Sequence, residues 1–173
     1  TELWSGGTMT TNPIPSPVRV GDAAVAMAGY GKSVILSLPL ASRGELGADP
    51  KGNWRRAAGA PYVPSPLLMN GKLYFTQAND ALLSVLDATT GKVLLDRERV
   101  PGAKTFYGSP VGAAGRVYLT DRAGTTVVLK EGAAMEVLAT NALNDPIDAS
   151  PAAVGRELFL RGERFLYCVA GRE

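Results

Sequence analysis

Residues 65–96 read SPLLMNGKLYFTQANDALLSVLDATTGKVLLD, short β-rich runs separated by tight turns. Asn70-Gly71 is a strong hairpin signal, because both residues accept the positive φ that a tight turn needs. Asp87-Ala88-Thr89-Thr90-Gly91 interrupts a later apolar run, since Asp can bond the backbone ahead of it and Gly again allows positive φ. The pattern predicts an antiparallel meander with strands at Ser65–Met69, 72–76, 82–86 and 92–95.

The Ser-Pro pair that opens this meander recurs at Ser16, Ser65, Ser109 and Ser150, at spacings of 49, 44 and 41 residues. Each pair leads into a turn and then into a β-rich run. Second strands are predicted in the other copies at Ala23–Ala28, Arg116–Thr120 and Glu157–Leu160. Third strands are predicted at Ser33–Leu38, Thr125–Leu129 and Phe165–Val169, and fourth strands at Asn53–Arg56 and Met135–Ala139. The fourth copy is expected to lack a fourth strand.

A period of 40–50 residues with four strands per unit is the signature of β-propeller blades. The predicted fold is therefore all-β, a propeller of four four-stranded blades within one repeat region, 1–173. The blades are placed near 8–56, 57–100, 101–141 and 142–173, with an additional N-terminal strand at 2–5. A β-sandwich with coincidental Ser-Pro turns is the alternative.

Composition excludes several functional classes. The chain carries 20 Gly and 12 Pro, which suits many short strands. A net charge of +2 with scattered basic residues argues against nucleic acid as a partner. No stretch approaches 18 apolar residues, so no membrane span is predicted. The single cysteine, Cys168, is expected to be a small buried hydrophobe.

Two features resemble the repeats of pyrroloquinoline-quinone-type (PQQ-like) propellers. The turn Asp87–Lys92 resembles the repeat's Asp-x-x-Thr-Gly turn, and Trp4 and Trp54 resemble the tryptophan that ends each repeat. The chain is similar to the C-terminal four-blade part of longer bacterial proteins of this family, which implies a periplasmic or secreted location. It departs from the family at Leu95, where no Trp stands, and in copies three and four, which lack the Asp-x-x-x-Gly turn.

The quinone dehydrogenases of this family use a calcium or lanthanide ion, a catalytic Asp and often a vicinal disulfide. This chain has one Cys and no His, which removes the commonest general base and excludes Ser-His-Asp catalysis. Asp145 and Asp148 could contact a hard cation, but a turn that caps the strand entering Ser150 is the favoured interpretation. No cofactor is expected, and PQQ with Ca²⁺ is the alternative.

Propeller geometry brings the loops between strands two and three, and those between successive blades, to one rim. Binding residues tend to lie on such loops. The candidate ligand-binding residues there are Tyr62, Lys104, Tyr107, Asp121, Arg122, Asp148 and Arg164. The insertion Pro39–Gly52, with Arg43, Glu45, Asp49 and Lys51, is interpreted as a solvated excursion, with a partner-docking loop as the alternative.

These features predict a non-catalytic binding or scaffolding module, like propellers that assist outer-membrane barrel assembly. A quinone-dependent oxidoreductase, or a fragment of one, is the alternative. The strand Glu2–Ser5 is predicted to be a fourth strand without a blade of its own, so we expect a homodimer in which it completes the last blade of a second copy, giving an eight-bladed ring. A protein partner is a further possibility. The predicted interblade core comprises Val117, Leu119, Val127, Leu129, Leu158, Leu160, Leu166 and Cys168.

Overall fold

The computed structural model describes residues 1–7, 9–77 and 79–171, and all regular secondary structure in these ranges is β-strand. Four residues lie outside the described ranges: Thr8, Ala78, Arg172 and Glu173. The predicted first blade begins at Thr8, and the predicted last blade ends at Glu173. Ala78 lies between the predicted second and third strands of the second blade. Four antiparallel sheets follow one another along the chain. Sheet 1 contains β2 (Val18–Val20), β3 (Ala23–Ala28), β4 (Val34–Pro39) and β6 (Trp54–Arg56). Sheet 2 contains β7 (Leu67–Met69), β8 (Lys72–Gln77), β9 (Leu82–Asp87) and β10 (Val93–Arg99).

The two later sheets repeat this order. Sheet 3 contains β11 (Val111–Ala113), β12 (Arg116–Thr120), β13 (Thr125–Lys130) and β14 (Val137–Ala142). Sheet 4 contains β15 (Ala152–Val154), β16 (Glu157–Arg161) and β17 (Leu166–Ala170). The first strands β2, β7, β11 and β15 contact one another in this order. The predicted all-β fold and four-strand repeat are thus confirmed in three sheets, and sheet 4 has three strands among the described residues.

The turns form as the sequence predicts. Asn70 and Gly71 have φ of 45° and 74°, which a two-residue hairpin turn requires. In the Asp87–Gly91 turn, Asp87 Oδ1 accepts hydrogen bonds from Thr90 N at 2.8 Å and from Thr90 Oγ1 at 2.7 Å. These two hydrogen bonds hold the pKa of Asp87 below its ordinary value, and the bond from the Thr90 side chain has the larger effect. The turn is therefore locked by its own side chains.

The core lies between successive sheets. Val25, Met27 and Ile35 of sheet 1 pack against Leu73, Phe75 and Leu86 of sheet 2. A second cluster joins sheets 2 and 3 through Tyr74, Leu83, Val85, Val117, Leu119, Val127 and Leu129. Sheet 2 therefore packs against a neighbour on both of its faces.

Sheet 4 corrects part of the predicted core. Val117, Leu119, Val127, Leu129 and Leu160 are buried and Leu158 is partly buried, as expected. Leu166 is instead 71% exposed, and Cys168 is also exposed. Both lie on the face of sheet 4 that points away from sheet 3, and no further sheet covers that face in the described part of the chain. The prediction of a buried Cys168 is therefore wrong for the single chain.

The N-terminal strand also differs from its prediction. β1 (Trp4–Ser5) pairs in parallel with β5 (Gly44–Glu45), which lies inside the Pro39–Gly52 insertion. Trp4 and Leu46 pack on the buried side chains Val34, Leu36 and Leu38 of sheet 1. The strand predicted to lack a blade of its own therefore has a partner strand, β5, in its own chain. The charged residues of the insertion are exposed, as predicted. Its Leu46 packs on the outer face of sheet 1, which anchors the insertion there.

Candidate functional site

The predicted rim forms on sheets 3 and 4 because backbone hydrogen bonds tie its loops together. Arg122 N donates to Thr105 O at 3.0 Å, and Ile147 N donates to Arg122 O at 3.2 Å. Glu163 N donates to Pro146 O at 2.8 Å. We define the rim as residues 104–108, 121–124, 144–149 and 162–164. Four successive loops therefore form one continuous surface.

Asp121 is buried and organises the start of this surface. Its Oδ1 accepts hydrogen bonds from Ala123 N at 3.0 Å and Thr125 N at 2.8 Å. Its Oδ2 accepts one from Lys104 N at 3.1 Å. The Lys104 side chain is exposed. Asp121 thus fixes the positions of the Lys104 backbone and the β12–β13 turn, and its carboxylate is engaged within the protein.

Arg122, Asp148 and Tyr107 form the central contact of the rim. Arg122 Nε donates to Asp148 Oδ1 at 2.6 Å and its Nη2 donates to Oδ2 at 3.1 Å. The guanidinium carbon lies 4.1 Å from the centroid of the Tyr107 ring, which is cation–π distance. The hydrogen bond between the two charges lowers the pKa of Asp148 and raises the pKa of Arg122. Both residues therefore stay charged and fixed by two-point contact.

Asp145 does not share a site with Asp148. It is buried, and its carboxylate accepts hydrogen bonds from Phe165 N at 3.1 Å, Tyr167 Oη at 3.1 Å and Arg164 N at 3.2 Å. Burial works against its ionisation, but these hydrogen bonds and that from the Arg164 side chain prevail and lower its pKa. Asp145 therefore caps the β16–β17 turn, whereas the sequence predicted a cap on the strand entering Ser150.

Tyr62 lies with a different set of residues. Its ring centroid is 5.0 Å from that of Tyr30, and its hydroxyl accepts a hydrogen bond from Asn12 Nδ2 at 3.2 Å. A hollow of about 630 Å³ lies beside Tyr30 and is also lined by Lys32 and Arg55. The other six candidates lie on sheets 3 and 4. Sequence reasoning missed Tyr30 as the partner of Tyr62, although Gly29-Tyr30-Gly31 occupies the corresponding loop of copy one.

The two carboxylates considered for a cation, Asp145 and Asp148, are not free to hold the calcium ion of the dehydrogenases. Asp148 is paired with Arg122, and Asp145 is surrounded by hydrogen-bond donors. Within the described ranges, no group of three or more His, Cys, Asp or Glu side chains is placed to hold a metal ion. The hollow beside Asp148, which Arg161 and Glu163 also line, measures about 200 Å³, whereas small-molecule sites span about 300–1,000 Å³. The rim of sheets 3 and 4 is thus better suited to surface contact.

A larger crevice of about 510 Å³ separates sheets 3 and 4. Its walls include Tyr118 and Val128 of sheet 3 and Leu158, Leu160 and Val169 of sheet 4. The corresponding gaps between the earlier sheets are filled by the two core clusters described above. Sheet 4 is therefore the least tightly packed of the four.

Comparison with known proteins identifies the fold. No family model matches the chain, and no curated protein matches it. BamB from Moraxella catarrhalis is similar over 97% of this chain and 49% of its own, with 18% identity and a TM-score of 0.62. The quinohemoprotein alcohol dehydrogenase ADHIIG from Pseudomonas putida HK5 is similar over 91% of this chain and 29% of its own, with 14% identity and a TM-score of 0.65. The computationally designed Ika8 protein is similar over 91% of this chain and 45% of its own, with 11% identity and a TM-score of 0.66.

Among the described residues, no helix is long and apolar enough to cross a membrane.

The chain spans about half of the length of BamB and Ika8. The identities are low, so the likeness is one of architecture. In its fold, the chain resembles the PQQ-like β-propeller proteins.

Proposed function

We propose that this chain is a non-catalytic binding or scaffolding module built from PQQ-like propeller blades, with residues 1–173 forming one repeat region. The observation that carries this proposal is the locked contact among Tyr107, Arg122 and Asp148. A catalytic base or nucleophile needs a group that is available to a substrate. Arg122 and Asp148 are already held by each other, and Asp121 and Asp145 by hydrogen bonds within the chain, which suits a rigid recognition surface.

The rival function is a quinone-dependent oxidoreductase, or a fragment of one, and the fold likeness to a quinohemoprotein dehydrogenase is its support. The test is reconstitution of the full chain with PQQ and Ca²⁺, followed by a dye-linked alcohol or sugar assay. We expect no turnover above that of PQQ and Ca²⁺ alone. Reproducible turnover that disappears in Asp148→Ala would overturn the non-catalytic assignment.

We propose that the rim binds a protein partner, in the periplasm or outside the cell as the family resemblance implies. Arg122 and Arg116 offer a matched pair of variants, because both are exposed, Arg116 begins β12, and Arg122 lies in the loop that follows the other end of this strand. Cross-linking mass spectrometry in an extract of the source cells should find a protein that the wild-type chain and Arg116→Ala capture. Capture of that protein should be lost with Arg122→Ala. Equal capture by both variants would place the binding surface elsewhere.

We also propose that the four blades are half of an eight-bladed ring that a second copy completes by strand exchange. The exposed Val154 and Leu166 on sheet 4 favour a covering partner. The backbone carbonyls of Leu3 and Ser5 face β5. Backbone hydrogen-bonding groups alternate in direction along a strand, so the N–H and C=O of Trp4 point away from β5. The second edge of β1 is therefore available to pair with a strand of another copy. Native mass measurement of a dilute sample should give a dimer, and a stable, folded monomer would refute the ring.

A further inference from the structure

Three identical hydrogen bonds link the four Ser-Pro pairs. Ser16 N donates to Ser65 Oγ, Ser65 N donates to Ser109 Oγ, and Ser109 N donates to Ser150 Oγ, each at 2.9 Å. Each bond joins the start of one sheet to the start of the next. We call this series the serine ladder. Ser65 and Ser109, the two inner serines, each donate through the backbone N–H and accept through the hydroxyl, which gives the recurring Ser-Pro pair a structural role.

The serine ladder has two different ends. Ser150 N is the next donor in the series and Ser16 Oγ is the preceding acceptor, and neither has a hydrogen-bond partner within the described residues. Both terminal serines are exposed, whereas the inner serines, Ser65 and Ser109, are half-buried. A unit that continues the ladder beyond Ser150 must therefore present a hydroxyl acceptor at the start of a sheet. The beginning of this same chain presents one at Ser16.

We infer that a second copy of this chain continues the serine ladder, with Ser150 N donating to Ser16 Oγ of the second copy. This inference rests on the proposed ring and names the surfaces that form it. Because donor and acceptor ends differ, the interface is head-to-tail, and such an interface closes into a ring when the rotation between copies fits. Two copies of four sheets then have two equivalent interfaces.

The sheet surfaces next to these serines fit one another. Residues paired across neighbouring strands share a face, so Ala152, Phe159 and Cys168 lie together, with Val154 and Leu166 on the same side. We call these five residues the free face of sheet 4. Glu157 pairs with Val154 and Arg161 pairs with Leu166, so these two charged residues flank the free face at opposite ends of β16. The outer face of sheet 1 carries Ala24 and Ala26, which are half-buried, beside the covering side chain of Trp4. The middle of each surface is apolar, as the buried contacts between the other sheets are.

Charge also favours a second copy. Between sheets 2 and 3, Lys72 at the first position of β8 pairs with Glu131, which follows β13, at 2.9 Å. Sheet 4 has Glu157 at the first position of β16, so the sign is reversed there. The connection that follows β4 in sheet 1 carries Arg43, which is exposed. A second copy therefore offers a cation at the end of β16 that carries Glu157.

A second copy would supply the Ser16 hydroxyl, the apolar surface at Ala24 and Ala26 and the Arg43 side chain together. An unrelated partner would have to provide a matching serine hydroxyl, an apolar face and a complementary charge at the same time.

Cys168 gives a direct probe of this interface, since it is the only cysteine and lies on the free face of sheet 4. The full chain is studied by native mass measurement and by the rate at which an aromatic disulfide reagent labels its thiol, over a range of protein concentrations. We expect a dimer whose Cys168 is labelled at least tenfold more slowly than in the diluted monomer.

Two pairs of variants separate the serine ladder from general stability. Ser16→Ala removes only a hydroxyl that accepts no bond within the described chain, and it should weaken the dimer about tenfold, since each of the two interfaces loses one hydrogen bond. Ser109→Ala removes a rung inside the chain, so it should lower stability and leave dimer affinity unchanged. Leu166→Arg should abolish the dimer, whereas Leu138→Arg, at an exposed position on β14, should preserve it.

The outcomes distinguish this inference from the proposed ring. A dimer with protected Cys168 that Ser16→Ala and Leu166→Arg weaken supports both. A dimer whose Cys168 is labelled as fast as in the monomer, or whose affinity is the same in Ser16→Ala, overturns the serine-ladder interface and leaves a ring closed by other contacts. A folded monomer at every concentration overturns both.

Discussion

The indole of Trp54 in sheet 1 lies directly against Gly91, which ends the β9–β10 turn of sheet 2. A Cβ at Gly91, where φ is +70°, would be 2.5 Å from Trp54 Cδ2. The two features of the sequence that resemble PQQ-like repeats, the Asp87–Gly91 turn and the tryptophan, are therefore the two sides of one contact between neighbouring sheets. Glycine is required there both by the positive φ and by the space that the indole occupies.

Gly91→Ala should therefore destabilise the protein by about 3 kcal/mol or more, because the left-handed backbone strain and the overpacking add together. Gly115 is a matched control, since its φ is +69° and a Cβ would meet nothing within 4 Å. Gly115→Ala should cost only about 1–2 kcal/mol of backbone strain. Urea unfolding of both variants measures the difference, and equal losses would show that the contact with Trp54 contributes nothing.

The prediction of strands succeeded because their signals are local. Asn70-Gly71 and Asp87–Gly91 carry their turn geometry in their own residues, so the sequence places them without knowledge of the rest of the fold. Burial is not local in this sense. Leu166 alternates like a core residue, yet its exposure depends on whether another sheet covers β17, and the sequence of β17 does not contain that information.

The candidate rim shows the same division. Loop positions followed from the strand order, and the structure brings Lys104, Tyr107, Asp121, Arg122 and Asp148 together as that order implies. Their pairing did not follow, because Arg122 and Asp148 are 26 residues apart and meet only through the packing of sheets 3 and 4. Their role in binding a ligand stays a prediction.

Leu129 tests the core between sheets 2 and 3. It is 2% exposed and packs within the cluster that includes Val117 and Leu119. Leu129→Ala should lower the free energy of unfolding by about 2–5 kcal/mol, because it loses buried apolar area and leaves a cavity. Leu166→Ala, measured at a dilution where single chains predominate, should change it by less than about 0.5 kcal/mol. A similarly small effect at Leu129 would show that the faces of β13 are assigned wrongly.

Asp145 makes stability depend on pH in the acid range. Its pKa is lowered in the folded chain, so it contributes stability that is fully present above the ordinary aspartate pKa of about 4. That contribution is lost as the pH falls through the lowered native pKa. Asp145→Asn should therefore be less stable than wild type at about pH 7 and should lose less stability on acidification.

Asp148→Asn is the control for this effect. The pKa of Asp148 is also lowered, but its side chain is exposed and its partner Arg122 is exposed as well. Such surface pairs contribute little because solvent screens them. Urea midpoints across the acid range should therefore change less for Asp148→Asn than for Asp145→Asn. Parallel pH profiles for wild type and Asp145→Asn would contradict the assigned role of Asp145.

Strand exchange predicts a specific disulfide between copies. Trp4 packs on the outer face of sheet 1, which the ring places against the free face of sheet 4, so Trp4 and Cys168 should lie on the same side of a completed fourth blade. Side chains alternate along a strand, and Glu2 and Gly6 therefore share that side, whereas Leu3 and Ser5 point to the other. Under mild oxidation, Glu2→Cys or Gly6→Cys should form a covalent dimer with Cys168, and Leu3→Cys and Ser5→Cys should form much less. Mass spectrometry of the cross-linked peptides identifies the bond. Equal yields from all four variants, or none in a protein that native mass shows to be dimeric, would mean that β1 does not pair with β17 of a second copy.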